Sequence, residues 1–354
     1  MVTMGQVAAR AGVSQATVSL VLGGSPDRLK ISPQTQERVL DVARELGYRR
    51  NLLARAMVTG KSRIIGVVTT VQAGENIIKM LAGAMEAAND HDYLLKVIHL
   101  SESGIDDATI TRCLEWRLAG AMVVGLMEGS QIRLQEEFRR AQIPLALIDN
   151  APLPEWGVRF ISDDAHGIRQ VVSHLVALGH RRIAFLGGRA SVLSDWRESS
   201  FRAALADAGL TVPAHWVRNT SWSDQEIIAE AAHGVLREDR PTAIVCSADA
   251  IAMVVLRVAR SLGLRLPTDL SVAGYSNAAL SAYADPPLTT VNQPFSALGH
   301  AAVMHLIHCS ENVDSGMDPR PERLFPTQLL ERASTAPPPQ DAVGSDSGSD
   351  RLHD

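Results

Sequence analysis

The stretch Val7-Ala-Ala-Arg-Ala-Gly-Val-Ser14 decides how the start of this chain folds. Val7, Ala8 and Ala11 recur at the spacing of one helix face, and Gly12 breaks the helix behind them. Upstream, Thr3 is placed to cap that helix, and Gln6 stands three residues on, where a capping box wants Glu or Gln. Downstream, Ser14 caps a second helix from Gln15 to about Leu22, with Val18, Val21 and Leu22 facing inward. Two short helices joined by a glycine-containing turn form a helix-turn-helix, an arrangement that can lay its second helix in the major groove of DNA. A third helix begins at Ser32 with Pro33 in its first turn and runs to Leu46 before Gly47. Its stripe of Val39, Val42, Ala43 and Leu46 closes a three-helix core.

Charge separates this head from the rest. The net charge is -5, yet residues 1–63 hold ten Lys and Arg against four acids, or +6, leaving 24 basic and 35 acidic side chains, or -11, for the remainder. A basic end on an acidic body is expected where only that end meets phosphates, although a solvated basic helix face gives the same count.

The head then resembles a known family. The run Val7 to Ser14, Ala16-Thr-Val-Ser19, Thr35 to Val39, Glu45-Leu-Gly-Tyr48, Asn51, Ala54-Arg55 and Thr59-Gly60 is similar to the head of the lactose-repressor and purine-repressor family. The resemblance implies that Gln15, Ala16 and Leu20 face base edges, while Thr17 and Ser19 anchor phosphates, with Thr3 and Ser14 at the helix starts beside them. Many relatives carry Arg where this chain has Leu20; leucine cannot make the bidentate contact to guanine and favours an apolar edge such as a thymine methyl. Residues 51–58 resemble the family's hinge helix, which at about two turns is marginal alone in water. There Met57 stands where relatives wedge an apolar residue into the minor groove, or else it is packed linker; Asn51, Ala54 and Arg55 flank it.

The 354 residues suffice for a small domain and a large one, and 46% hydrophobic with 21% charged residues fits an ordinary globular chain. No apolar run reaches membrane-helix length, and the first residues lack a secretory pattern, so a cytoplasmic protein is expected. Cys113, Cys246 and Cys309 are far apart among apolar neighbours, without zinc spacing, and read as buried hydrophobes.

From Ile64 apolar runs alternate with helical stretches. Ile64–Val68, Leu94–Ile98, Ala121–Val124 and Leu145–Ile148 read as buried strands, followed by a second set at Arg159–Ser162, Ile183–Leu186, Val217, Ala243–Cys246 and Ser271–Ala273. Helices near Lys79–Asn89, Ala108–Arg117 and Arg133–Ala141 fall within the first set. This is the pattern of α/β parallel sheets in two subdomains, with ligands bound at strand carboxyl ends. The resemblance supports a periplasmic-binding-protein-like domain and reaches to about Glu331, through Leu178-Gly-His-Arg-Arg-Ile-Ala184, Phe201-Arg-Ala-Ala-Leu205 and Pro286-Pro-Leu-Thr-Thr-Val291. It also places Asp149, Arg197, Trp222, Asp249, Ser276, Gln293 and Phe295 at the family's cleft positions. Arg197 implies a guanidinium fork on a ligand hydroxyl or carboxylate, or else a surface salt bridge. Trp222 either covers a sugar ring or belongs to the core. Asp249 and Phe295 either touch ligand or orient loops and floor the cleft. The chain departs from its relatives at Ser276, where many have Asp, at Ala248, where many have Asn, and in the loop Thr70-Val-Gln-Ala-Gly-Glu-Asn76.

His91, His166, His174, His180 and His300 are scattered, with no nucleophile–base spacing, so no enzyme, metal or cofactor is expected. Gly187-Gly188 reads as a tight turn rather than a dinucleotide fingerprint. The expected organisation is a helix-turn-helix head over 1–50, hinge and linker over 51–62, an effector-binding and dimerisation domain over 63–333 and a disordered tail over 334–354. The function expected is a DNA-binding regulator, a repressor by the resemblance. It acts as a homodimer on a pseudo-palindromic operator under control of a small-molecule effector, a sugar or sugar-like metabolite. The alternative is a sugar-binding protein without a regulatory role.

Overall fold

The computed structural model describes residues 2–23, 30–49, 62–70, 74–100, 106–124, 130–148, 154–188, 192–237, 240–311 and 321–340. The chain divides into two compact units, Met1–Ser62 and Arg63–Asp354.

The first unit holds three helices, α1 (Met4–Ala11), α2 (Gln15–Leu22) and α3 (Pro33–Glu45). Each starts on a hydroxyl. Thr3 and Gln6 close the capping box reciprocally, with Thr3 N donating to Gln6 Oε1 at 2.8 Å and Gln6 N to Thr3 Oγ1 at 3.3 Å. Ser14 and Ser32 accept from the amides of Thr17 and Thr35 at 3.1 and 3.3 Å. Caps of this type are worth about 1 kcal/mol over alanine. Gly12 takes the left-handed conformation at φ 65°, which ends α1 and turns the chain into α2. Val7, Ala8, Ala11, Val18, Val21, Val39 and Ala43 are buried between the three helices, with Leu22, Val42 and Leu46 packed against them.

The second unit alternates strands and helices. Its first part runs β1 (Ile64–Thr70), α4 (Glu75–Asp90), β2 (Leu94–Leu100), α5 (Asp107–Glu115), β3 (Gly120–Val124), α6 (Ser130–Arg140), β4 (Leu145–Ile148) and β5 (Val158–Ser162). There follow α7 (Asp164–Ala177), β6 (Ile183–Gly187), α8 (Val192–Asp207), β7 (Val217–Asn219), α9 (Gln225–Arg237), β8 (Ala243–Cys246), α10 (Asp249–Ser261), β9 (Ser271–Tyr275) and β10 (Thr289–Asn292). The last elements are α11 (Phe295–Glu311), β11 (Glu322–Phe325) and β12 (Gln328–Leu330).

Two sheets result, ordered β2-β1-β3-β4-β5-β11 and β7-β6-β8-β9-β10-β12. All pairings are parallel except β10 with β12. The apolar runs are unbroken because both faces of each sheet are covered. In the first sheet Ile65, Val67, Met122, Val124, Ala146 and Ile148 face α4 and α11, while Val68, Ala121, Val123, Leu145 and Leu147 face α5 and α6. In the second, Leu186, Ile244, Cys246 and Val272 face α9 and α10, while Ile183, Phe185, Val245, Ala273 and Tyr275 face α7 and α8.

Two expectations need correction. The strand sets differ from the reading in two ways: β5, at Arg159–Ser162, closes the first sheet rather than opening the second, and after β10 the chain returns to the first sheet to place α11 and β11, then crosses again to β12. Periodicity reveals that Phe295–Glu311 is a helix but not which sheet it covers, and four-residue β11 and three-residue β12 are too short and polar to signal strands.

The tail differs as well. Its composition reads as disordered from Thr335, yet Ser334 is buried and residues 334–336 are bonded along the starts of β9 and β10. Ser334 Oγ accepts from Thr289 N at 2.8 Å, Val272 N donates to Ser334 O at 2.9 Å, and Ala336 N donates to Ser271 Oγ at 3.0 Å. His180 adds Nε2 to Ala336 O at 2.8 Å. Composition cannot show that neighbouring strands leave backbone groups to be satisfied. Residues 341–354 lie outside the described residues.

Candidate functional site

In the head, the packing of α2 decides which side chains face outward. Val18 and Val21 are buried, so Gln15, Ala16 and Ser19 are exposed on the opposite face and Leu20 lies partly exposed beside them. Thr3 and Ser14 are exposed as well, at the two helix starts. Ser14 and Thr17 share a bond between hydroxyls at 2.9 Å, so Thr17 helps to close the cap as well as facing outward. Gln15 lies over Gly5 of α1, where a Cβ would come within 2.7 Å of its Nε2. Asn51, Ala54, Arg55 and Met57 lie outside the described residues.

In the second unit the expected site residues follow the carboxyl ends of five strands of one sheet. Arg197 comes after β6, Trp222 after β7, Asp249 after β8, Ser276 after β9, and Gln293 with Phe295 after β10. This is where parallel α/β sheets present ligand-binding loops. Asp149 lies outside the described residues.

Arg197 is neither exposed nor on a surface ion pair. Its Nε donates to Asp164 Oδ2 at 2.8 Å, its Nη1 to Ser247 O at 2.8 Å, and its guanidinium lies 4.3 Å from the centroid of the Tyr275 ring. Asp164 Oδ1 accepts from Tyr275 OH at 2.8 Å and from Gln293 Nε2 at 3.4 Å. Arg197 and Asp164 are 8% and 9% exposed, so this is a buried, charge-assisted network at the carboxyl ends of the second sheet's strands. Burial, then the neighbouring Asp164 charge, raises the Tyr275 phenol well above its ordinary range, so it donates rather than ionises. The network also ties the crossovers: Asp164 follows the first, Gln293 sits in the second, and Thr327 in the third donates to Asp163 O at 2.9 Å.

Asp249 orients a loop. Its Oδ1 accepts from Thr290 Oγ1 and its Oδ2 from Ala278 N, both at 2.6 Å. Burial pushes its carboxyl up to about 6 against the pull of those bonds. The loop it holds carries Ser276 at φ 104° and Asn277 at φ 51°, two non-glycine residues in the left-handed region. Ser276 is partly exposed.

Trp222 is partly buried, packed against the second sheet's core, with its indole over Gly188. A Cβ on Gly188 would collide with the ring. Residues 189–191, which would complete the turn expected at Gly187-Gly188, lie outside the described residues. Gly187 ends β6, and Gly188 provides a flat backbone surface with its N–H bonded to Ser247 Oγ at 2.9 Å. Phe295 is buried against the first sheet.

Residues 3–51 match the family described as bacterial regulatory proteins, lacI family, and residues 172–335 match the periplasmic binding protein-like domain. The regulator MalR of Streptomyces coelicolor is 32% identical over 346 residues, covering 95% of this chain and 97% of that protein. The chain belongs to the lacI family of transcriptional regulators. The transcriptional repressor PurR of Photobacterium profundum is 28% identical over 305 residues, covering 86% of this regulator and 90% of that protein. A lac repressor dimer solved with operator and the anti-inducer ONPF superposes with a TM-score of 0.78 at 28% identity, covering 95% of this regulator and 99% of that chain. These relatives are regulators rather than enzymes, and they give no support to a sugar carrier without a regulatory role.

Sequence reasoning missed Asp164, Ser247 and Tyr275. Asp164 has a visible signal, an Asp-Asp pair directly after strand β5, but an acid there is indistinguishable from a helix cap, and Asp163 does cap α7.

Proposed function

We propose that this regulator is a homodimeric repressor that binds a pseudo-palindromic operator and changes its affinity when a neutral, hydroxyl-bearing effector, a sugar or a sugar-like metabolite, occupies the cleft. The observation that carries the reading is the convergence of Arg197, Trp222, Asp249, Ser276 and Gln293 at five strand ends of one sheet, in a chain that also carries a DNA-reading head. Trp222 offers a partly exposed aromatic face at the cleft, suited to the apolar face of a sugar ring. Ser276 and Ala248 replace charged and amide anchors, which favours hydroxyl partners over cationic ones. The described cleft carboxylates Asp164 and Asp249 are already committed to partners within the protein.

In the head, Gln15, Ala16 and Leu20 read base edges, and Thr3, Ser14, Thr17 and Ser19 bind or orient phosphates. Asn51, Ala54, Arg55 and Met57 serve the hinge, with Met57 as the minor-groove wedge. Two heads related by a two-fold axis require a two-fold site. Exposed Ile78 and Met85 on α4 and Leu94 and Val97 on edge strand β2 supply an apolar surface for the second copy. The effector acts by binding one arrangement of the subdomains better than the other. Work on chromosomal DNA sets the protein in the cytoplasm, and no described helix is long and apolar enough to cross a membrane.

A thermal-shift screen of the purified protein against neutral mono- and disaccharides tests the effector class. The expected result is a saccharide that raises the midpoint and loses its effect in Trp222→Ala. Silence from every neutral saccharide, with stabilisation by anionic metabolites instead, would overturn it.

A further inference from the structure

The two subdomains touch across the cleft through side chains that the crossovers do not involve. Glu75 and Lys79 stand one turn apart at the start of α4, in the first subdomain, and pair at 2.7 Å. Both also reach the loop after β9 in the second subdomain. Lys79 Nζ donates to Asn277 O at 2.8 Å, and Ala279 N donates to the Glu75 carboxylate at 3.0 and 2.8 Å to its two oxygens. The match is complementary at each point, ammonium to carbonyl and carboxylate to amide, the charge-assisted kind of bond.

The receiving loop is held rigidly from behind. Asp249 accepts from Ala278 N, Arg332 Nη2 donates to Asn277 Oδ1 at 2.8 Å, and Asn277 Nδ2 donates to Asn292 Oδ1 at 3.0 Å. The loop, turned by left-handed Ser276 and Asn277, thus presents the Asn277 carbonyl and the Ala279 amide to α4.

What α4 feels at this end it carries to its other end. It spans about 24 Å at 1.5 Å per residue and lies backbone to backbone on α11: a Cβ on Gly83 would strike the Ser296 carbonyl, and one on Gly299 the Met80 carbonyl. Beyond the far ends of both helices sits Arg63, the first residue of the large unit after the linker. Its guanidinium donates to His91 O at 2.9 Å, pairs with Glu311 at 3.5 Å and lies over the Tyr93 ring at 5.1 Å. The helix pair therefore runs from the mouth of the cleft to the point where the linker joins.

We propose that Glu75 and Lys79 form a built-in latch on the loop 276–279 that favours the closed cleft and thereby weights operator affinity independently of any effector. The inference rests on the regulator reading above and adds to it a contact made by this chain's own side chains. Such a latch lowers the differential affinity an effector must supply to move the equilibrium one way and raises it the other.

Two neighbouring amides make the test internally controlled. Ala279 N is bonded across the cleft, whereas Ala278 N is bonded to Asp249 within its own subdomain. Residue-resolved hydrogen exchange on the full-length protein should show Ala279 exchanging about tenfold faster in Glu75→Ala, with Ala278 unchanged. Lys79→Met, which keeps a good helix former in α4, should speed Ala279 by a smaller factor. Both variants should shift affinity for the footprinted operator in the same direction, by about three- to tenfold, without added small molecules. Unchanged Ala279 exchange in both variants would show that no latch exists. Faster exchange with operator affinity unchanged would show a latch without regulatory weight, and either result overturns the proposal. Failure of the wild-type protein to select any specific DNA would instead sink the regulator reading, and is recognisable before a variant is made.

Discussion

Replacing Arg197 by methionine removes three interactions at once: the bond to Asp164, the bond to the Ser247 carbonyl and the contact with the Tyr275 ring. Methionine fills much of the volume, so the main cost is electrostatic. Asp164 is left buried at 9% exposure, with the Tyr275 hydroxyl at 2.8 Å and the more distant Gln293 amide at 3.4 Å as its side-chain donors among the described residues. Removing one partner of a buried pair costs about 3–5 kcal/mol, because the remaining charge is uncompensated. For a unit of this size that lowers the thermal midpoint by on the order of 10 °C. Replacing both partners, as in Arg197→Met with Asp164→Leu, removes the stranded charge and should recover most of the loss, giving a coupling of about 2–4 kcal/mol in the cycle. Urea unfolding of the four proteins, followed by far-ultraviolet circular dichroism, provides the numbers. An Arg197→Met loss below about 1 kcal/mol, the range of an exposed pair, would refute the buried-network reasoning. Arg197 therefore cannot be tested as a ligand anchor by alanine; Arg197→Lys, which keeps the charge and drops the planar fork, is the informative variant for effector response.

Three further outcomes follow from particular residues. Asp249, raised from 3.8 to about 6, favours folding below pH 3.8 and loses that contribution as pH rises through 6, while His180, depressed by burial from 6.5 to about 4, contributes above pH 6.5 and loses it as pH falls through 4. The slopes oppose each other at about 3 kcal/mol each, so pH-resolved urea midpoints should rise with pH between 4 and 6 in Asp249→Asn and fall in His180→Gln, relative to wild type. Gly299→Ala drives a methyl into the Met80 carbonyl and should cost about 1–3 kcal/mol in the same unfolding assay, whereas Gly234→Ala, with open space around it on α9, should not destabilise. Met57→Gly should weaken specific DNA binding more than non-specific binding in salt-matched titrations; equal loss of both would remove the wedge from the account.

The head was legible in the sequence because its signals are local. Thr3 with Gln6, Ser14, Ser32 with Pro33, and Gly12 and Gly47 mark helix ends within three or four residues of the groups they bond. The buried strands were legible because helices on both faces leave no polar position in runs such as Leu145–Ile148. What stayed hidden depends on contacts between residues distant in the chain. That α11 covers the first sheet, that Ser334 bonds beside Val272, and that Lys79 reaches Asn277 are pairings across 62 to 198 positions or more, and no local period encodes them. The expected site residues Arg197, Trp222, Asp249, Ser276 and Gln293, which the structure sets after strand ends of the second sheet, came from resemblance. It did not give their chemistry: Arg197 and Asp249 turn out to spend their charges inside the protein, and Asp164, their common neighbourhood's other carboxylate, looked like a helix cap.

The head of this regulator binds DNA sequence-specifically, and the first measurement to make is selection of genomic fragments by the full-length protein, followed by footprinting near physiological salt. The expected result is a protected pseudo-palindrome whose halves lie about one helical turn, or a multiple of it, apart. Protection that never exceeds the non-specific background, with cell extract added to supply any corepressor, would contradict it.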